Sequence, residues 1–177
     1  MDYQAITLVI RNSVAVITLN RPDLMNALNT QMRAEITHAV KAAEKDARVL
    51  ILTGAGRSFC SACTRSGLIP DAGGTYWLPR QMGSAKAMGA ALFADKISAQ
   101  QASDWGMIYE TAPAATFLEY VQGRAAQLAQ GPTGAYRQLK KAIRGSFENS
   151  LDEQLGLEAK LQGRCGQTRD FQEGVVA

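Results

Sequence analysis

Residues 48–54 read RVLILTG: four consecutive apolar side chains from Val49 to Leu52, closed by Thr53 and Gly54. So short an uncharged run, followed by the turn-forming GAGRS, predicts a strand of the buried kind. Upstream, residues 5–10 and 14–19 are rich in β-formers and are separated by Arg11, Asn12 and Ser13, which predicts a hairpin. NRPDLMNALN, residues 20–29, reads as a loop. Beyond it Met32, Ile36, Ala39, Val40 and Ala43 fall at helical spacing, so a helix is expected from about Thr30 to Asp46. The first 60 residues therefore run β-β-α-β, which makes the fold class α/β.

The rest of the chain is helical in pattern. SAKAMGAALFA (84–94) is followed by SAQQASDWG (98–106), with Ser98 as N-cap and Gly106 as stop. GPTGAYRQLKKAIRGSF (131–147) sets Tyr136, Leu139, Ile143 and Phe147 on one face, with Pro132 near its start. LDEQLGLEAKLQG (151–163) and RDFQEGVVA (169–177) predict two more helices. No repeat, low-complexity tract or Pro/Gly linker divides the chain, so residues 1–110 are expected to form a core and 111–177 a helical region of the same domain.

Composition limits the function. With 46% hydrophobic and 20% charged residues among 177, the chain is typical of a soluble globular protein. A net charge of +3, spread without a Lys/Arg run, argues against nucleic acid but suits an anionic small ligand. The N-terminus lacks the pattern of a signal peptide, and no apolar run is long enough to span a membrane. Three cysteines, an odd number, favour free thiols and a cytoplasmic setting.

One acidic residue, Asp71, stands inside the apolar, glycine-rich stretch GLIPDAGGTYWLPR (67–80). Two roles fit it. Asp is a good turn residue and helix N-cap, because its carboxylate accepts backbone N–H bonds. Alternatively, an apolar setting raises a carboxyl pKa and suits it to proton transfer. Tyr76 and Trp77, one turn further on, either pack in the core or border a bound acyl or aryl group. Cys60 and Cys63 form a C-x-x-C, but only His38 and Cys165 remain as further Cys or His ligands, and no thioredoxin-like pattern surrounds the pair. The expectation is no metal and no redox site, with His38 a surface or packing residue. TGAGR (53–57) lacks both the P-loop and the dinucleotide spacing and is a turn.

Five pieces, in order along nearly the whole chain, resemble the crotonase superfamily of enoyl-CoA hydratases and isomerases. They are ITLNRPDLMNAL (17–28), RVLILTGAGRSFCS (48–61), GLIPDAGGTYWLPRQMGSAKAM (67–88), KISAQQASDWGMIYE (96–110) and TRDFQEGVVA (168–177). The resemblance implies stacked ββα turns in a spiral followed by C-terminal helices. It also implies an acyl-CoA thioester as substrate, a homotrimer or dimer of trimers, and no cofactor beyond the CoA carried by the substrate. The family's chemistry is stabilisation of a thioester enolate by two backbone N–H groups while a carboxylate moves protons nearby. Met25, Ala27, Leu28 and Gly74 match positions that border the CoA or substrate, with Trp77 beside them. Lys140, Lys141 or Arg144 could meet CoA phosphates, although a solvated charged face is the default for such a helix. Asp71 matches the aspartate of the double-bond isomerases, including the ring-epoxide isomerase of phenylacetate breakdown. Cys63 stands where a hydratase would carry a glutamate.

The chain departs from the family pattern at one seam. SFCS (58–61) runs directly into ACTRSG, where the family continues through several dozen residues that hold both oxyanion donors. Either the protein lacks this central segment, which would disable the site, or a mobile stretch between Ser61 and Ala62 is left out of the sequence; the second is the expectation. An isomerase using Asp71 is expected first and an ordinary enoyl-CoA hydratase second. A scaffold without activity is the alternative if the segment is absent.

Overall fold

A computed structural model describes residues 2–56 and 67–176. The strands are β1 (Ile6–Arg11), β2 (Val14–Leu19) and β3 (Val49–Gly54). The helices are α1 (Thr30–Ala43), α2 (Gly74–Met82), α3 (Ser84–Phe93), α4 (Ala99–Asp104), α5 (Phe117–Gln130), α6 (Thr133–Gly145), α7 (Leu151–Gly166) and α8 (Arg169–Val176). The seam at Ser61–Ala62, with Cys60 and Cys63, lies outside the described residues. No helix among the described residues is long and apolar enough to cross a membrane.

Strands β1 and β2 form the expected hairpin, Ile6 opposite Leu19 and Arg11 opposite Val14. Asn12 and Ser13 close it with positive φ angles of 50° and 61°, the backbone that a two-residue hairpin turn requires. Strand β3 returns parallel to β2, Ile17 opposite Leu52, after the crossover through α1. Helix α1 starts where the Asn29 side chain accepts the Met32 N–H at 2.8 Å, an N-cap in place of the lost helical acceptor. It packs on β1 and β2, and Ala5, Ile6, Ile17, Leu19, Met32 and Ala39 form the core between them. Each larger aliphatic side chain buried there contributes about 1.5–3 kcal/mol.

Two expectations need correcting. Strand β3 is not buried on both faces: Leu50 and Leu52 are 39% and 52% exposed. By register they share a face with Ala15 and Ile17, but α1 packs on β1 and β2, leaving them at the far side of a three-stranded sheet. Helix α1 in turn buries Glu35 and leaves Val40 exposed. Glu35 is drawn inward because its carboxylate accepts the N–H groups of Gln4 (3.1 Å) and Ala5 (2.8 Å) and the Gln31 amide (3.0 Å). Burial pushes its pKa up, but the Ala5 and Gln4 N–H groups and Gln31 outweigh that and hold it below the ordinary glutamate value.

Helix α5 lies against β3 and β2 and buries Ala125 and Ala129. Arg48, just before β3, donates to the Gly131 carbonyl at 2.9 Å and to the Thr133 hydroxyl at 3.1 Å, which fixes the α5–α6 turn to the sheet. Helices α6 and α7 pair closely. Ser98 and Ser150 each open a helix through a reciprocal capping box, with Gln101 and Glu153 respectively. The apolar face that predicted α6 carries Leu139 and Ile143, with Phe147 just beyond the helix, all about half exposed.

Candidate active site

The loop at residues 21–28 leaves β2 at its carboxyl end, where open α/β sheets commonly bind ligands. A 3-10 turn at Pro22–Leu24 ends with Met25 and Asn26 at φ 50° and 55°. Asn26 is buried and holds the loop shut. Its Oδ1 accepts from the Arg21 N–H at 2.9 Å, and its Nδ2 donates to the Ala55 carbonyl at 2.7 Å, just beyond β3. Arg21 adds a guanidinium bond to the Ala27 carbonyl at 2.7 Å. Gly56, at φ 83°, comes so near that a Cβ on it would stand 3.0 Å from Cβ of Pro22. Met25 and Leu28 point outward, exposed, from this fixed frame, and Ala27 is partly covered. Asn26 is the loop-fixing residue at the candidate site that the sequence reading passed over. Its signal was a polar side chain amid apolar neighbours, of a type that tolerates left-handed backbone.

Asp71 sits in the turn that leads into α2. Ala72 and Gly73 take left-handed φ angles of 52° and 86°, and the Gly74 N–H donates to the Asp71 carbonyl at 2.8 Å. The approach at Gly74 is close: a Cβ there would stand 3.0 Å from Cβ of Pro70, so that Pro70 would have to give way to a side chain. Gly73 is the N-cap of α2, and no side chain caps this helix. The carboxylate of Asp71 is exposed and has no hydrogen-bond or ion-pair partner among the described residues. Capping therefore does not account for Asp71, because the chain turns two residues too late for its carboxylate to reach the N2 or N3 amide. The apolar enclosure expected around it is also missing from the described residues.

Trp77 lies against this turn: a Cβ on Gly73 would be 3.1 Å from its Cδ1. It is not core, being 42% exposed. Tyr76 meets it edge-on, ring centroids 4.9 Å apart at 84°. The structure thus brings Asp71, Gly74 and Trp77 together, and separately Met25, Ala27 and Leu28. No hydrogen bond among the described residues joins the two groups. Lys140, Lys141 and Arg144 are exposed on α6. His38 accepts or donates at Nδ1 to the Tyr3 hydroxyl, 2.9 Å away, as a surface packing residue.

A groove of about 850 Å³ runs between α6, α7 and α8, lined by Leu139, Leu155 and Phe171 with Glu158 and Asp170 as its acids. It contains none of the residues above. With acidic and no basic side chains along it, it is a poor seat for CoA phosphates.

Comparison with known proteins gives a consistent picture. The Enoyl-CoA hydratase/isomerase family model matches residues 9–65 and 61–177. A protein of Rhodobacter capsulatus described as a probable enoyl-CoA hydratase is 39% identical over 245 aligned positions, covering 100% of this chain and 95% of the relative. The 1,2-epoxyphenylacetyl-CoA isomerase of Escherichia coli is 31% identical over 242 positions, covering 95% of this chain and 92% of that protein. Both alignments are dozens of positions longer than the 177-residue chain, so both relatives carry residues without counterpart here. The crystal structure of an enoyl-CoA hydratase from Bacillus anthracis shares the fold with a TM-score of 0.87 at 23% identity, covering 98% of this chain and 95% of the other. The enoyl-CoA hydratase structure from Polaromonas sp. JS666 does so with a TM-score of 0.89 at 21% identity, covering 98% and 96%. The chain is a member of the enoyl-CoA hydratase/isomerase family, within the crotonase superfamily.

Proposed function

We propose that this protein acts on an acyl-CoA thioester as an isomerase, with Asp71 as the group that moves the proton. Asp71 takes a proton from a carbon of the acyl chain, and the electron pair left behind passes into the thioester carbonyl as an enolate. The same carboxyl returns the proton at a different carbon, so the double bond shifts and the composition is unchanged. CoA arrives as part of the substrate, and no further cofactor takes part. The loop bearing Met25, Ala27 and Leu28 borders the CoA moiety, while Gly74 and Trp77 border the acyl group. A substrate of phenylacetate catabolism fits a Trp77 wall and the likeness to the Escherichia coli isomerase.

The observation that carries this proposal is Asp71 itself, an exposed carboxylate that neither caps α2 nor pairs with any described residue. Asp71→Asn is expected to leave the fold and acyl-CoA binding intact. It should lower turnover by about a hundredfold or more, the usual contribution of a general base. Full turnover in that variant overturns the role.

The half-exposed apolar residues of α6 to α8 support assembly through this face; that the assembly is a homotrimer or dimer of trimers, and cytoplasmic, is proposed from the family resemblance and the sequence. Light scattering of the purified chain tests the assembly.

A second proposal is supported by the length difference from the relatives. The enolate needs oxyanion donors, and by family resemblance these belong to the stretch without counterpart here. A polypeptide with an intact mass near 19.0 kDa is then a non-catalytic member that keeps the scaffold. A mass several kilodaltons higher restores the donors and the isomerase. Hydration of a crotonyl thioester would instead mark an ordinary hydratase.

A further inference from the structure

Among the described residues, the turn that carries Asp71 is tied to distant elements at one polar point. Among the described residues, the only hydrogen bond from residues 67–82 to a distant element is Tyr76 Oη to Glu148 Oε1, at 3.0 Å. Glu148 lies on the connection between α6 and α7, which is itself firmly held. The N–H groups of Glu148 and Asn149 both donate to the Gly145 carbonyl at 3.0 Å. Asn149 Nδ2 donates to Gln154 Oε1 at 2.9 Å, and the Ser150 capping box follows at once.

From this anchor the contacts run in series toward Asp71. The Arg80 guanidinium stacks 3.6 Å from the centroid of the Tyr76 ring and fixes its other face. Tyr76 sets its ring edge-on against Trp77, and Trp77 lies on Gly73, two residues from Asp71. With the phenol held at its hydroxyl and its face, the indole has a defined orientation although much of it is open to solvent. A fixed, open indole against the turn that carries Asp71 is a stacking surface for a planar group. A freely rotating indole would lose that preference, because each ligand would have to order it.

We propose that Glu148 and Tyr76 are positioning residues, which hold Trp77 so that the Asp71 site prefers aryl acyl thioesters over flexible aliphatic ones. The inference rests on the assignment of Asp71 to an acyl-CoA site and names the substrate class of that site.

The test uses Tyr76→Phe, Glu148→Ala and Glu148→Gln in the full chain, with calorimetric affinities for phenylacetyl-CoA and hexanoyl-CoA. Acrylamide quenching of tryptophan emission is measured alongside, Trp105 contributing equally in every variant. Tyr76→Phe and Glu148→Ala should weaken phenylacetyl-CoA roughly two- to tenfold, the range of one hydrogen bond, and leave hexanoyl-CoA unchanged. Their tryptophan should become more quenchable. Glu148→Gln keeps an acceptor for the phenol and should stay near the parent in both readouts. Equal loss for both thioesters, or a Gln variant as impaired as the Ala variant, overturns the positioning role. Failure of the parent protein to bind either thioester overturns the acyl-CoA assignment, and the specificity with it. That result is told apart by a quenching contrast that persists without any ligand.

Discussion

The sheet with α1 is richer in apolar residues than the layer of α6 to α8, and the two finish in different states. In the first, Ala15, Ile17, Met32 and Ala39 are sealed completely, and the carboxylate of Glu35 is drawn in with backbone partners. In the second, Leu161 alone among the described side chains of α6 to α8 is buried, while Leu139, Leu155 and Phe171 stay about half exposed. Geometry widens the difference in composition. A helix crossing over a hairpin and a parallel strand closes a core from within 50 residues, whereas three helices laid side by side cover one another only along their seams. The first region seals its core between α1 and the hairpin and leaves Leu50 and Leu52 of β3 exposed, and the second leaves most of its apolar face open.

The largest effect expected is Ile17→Ala, which opens a cavity in the sealed core and should cost about 2–5 kcal/mol. For a chain of this size that lowers Tm by about 4–20 °C in a thermal melt. A small shift would mean that the core is not what holds the molecule together. Acidification acts on the same region through Glu35. Its folded-state pKa lies below the unfolded one, so its stabilising charge is fully present above the unfolded value near pH 4.3 and is lost as pH falls through the lower folded value. Glu35→Gln should flatten the stability of the chain against pH in that acid window, as followed by urea titrations. Asn26→Ala removes at least the two part-buried bonds to Arg21 and Ala55 at the edge of the region and should cost about 1–3 kcal/mol. Hydrogen exchange at Arg21 and Ala27 would rise first. Ser150→Ala, which unmakes the capping box of α7, should cost about 0.5–2 kcal/mol. The smallest effect belongs to the open layer: Leu139→Ser should change the stability of the isolated chain by no more than about 0.5 kcal/mol. If its Tm instead drops sharply and loses a dependence on protein concentration, the α6 face is an assembled interface and the contrast between the regions disappears.

Local chemistry was legible in the sequence where a pattern and a cap agreed. The hairpin turn at Asn12–Ser13, the start of α1 after Asn29 and the capping box at Ser98 all rest on residues within a few positions of one another. What long-range packing decides was not legible. Periodicity put Val40 inward and could not see that Gln4 and Ala5 would offer N–H groups to Glu35. Helix α5 escaped notice because its buried side chains are the small Ala125 and Ala129, which stand out little from their neighbours. At the candidate site, the turn around Asp71 and the nearness of Trp77 could be expected from spacing. Its tether to Glu148 could not, since 72 residues separate Tyr76 from its partner.

The Arg48 bridge to Gly131 and Thr133 has a consequence in polymer terms. It joins points 83 residues apart, and α5 lies on the sheet beside it, so all of the chain from β3 to α5 is one closed loop. The entropy of closing a loop grows only with the logarithm of its length, by about 0.6 kcal/mol for each doubling. A loop lengthened by the dozens of positions by which the 245-position alignment exceeds this chain would close at a penalty larger by only about a fraction of a kcal/mol. As far as chain entropy is concerned, docking of α5 on the sheet is therefore almost indifferent to the stretch that distinguishes this chain from its relatives.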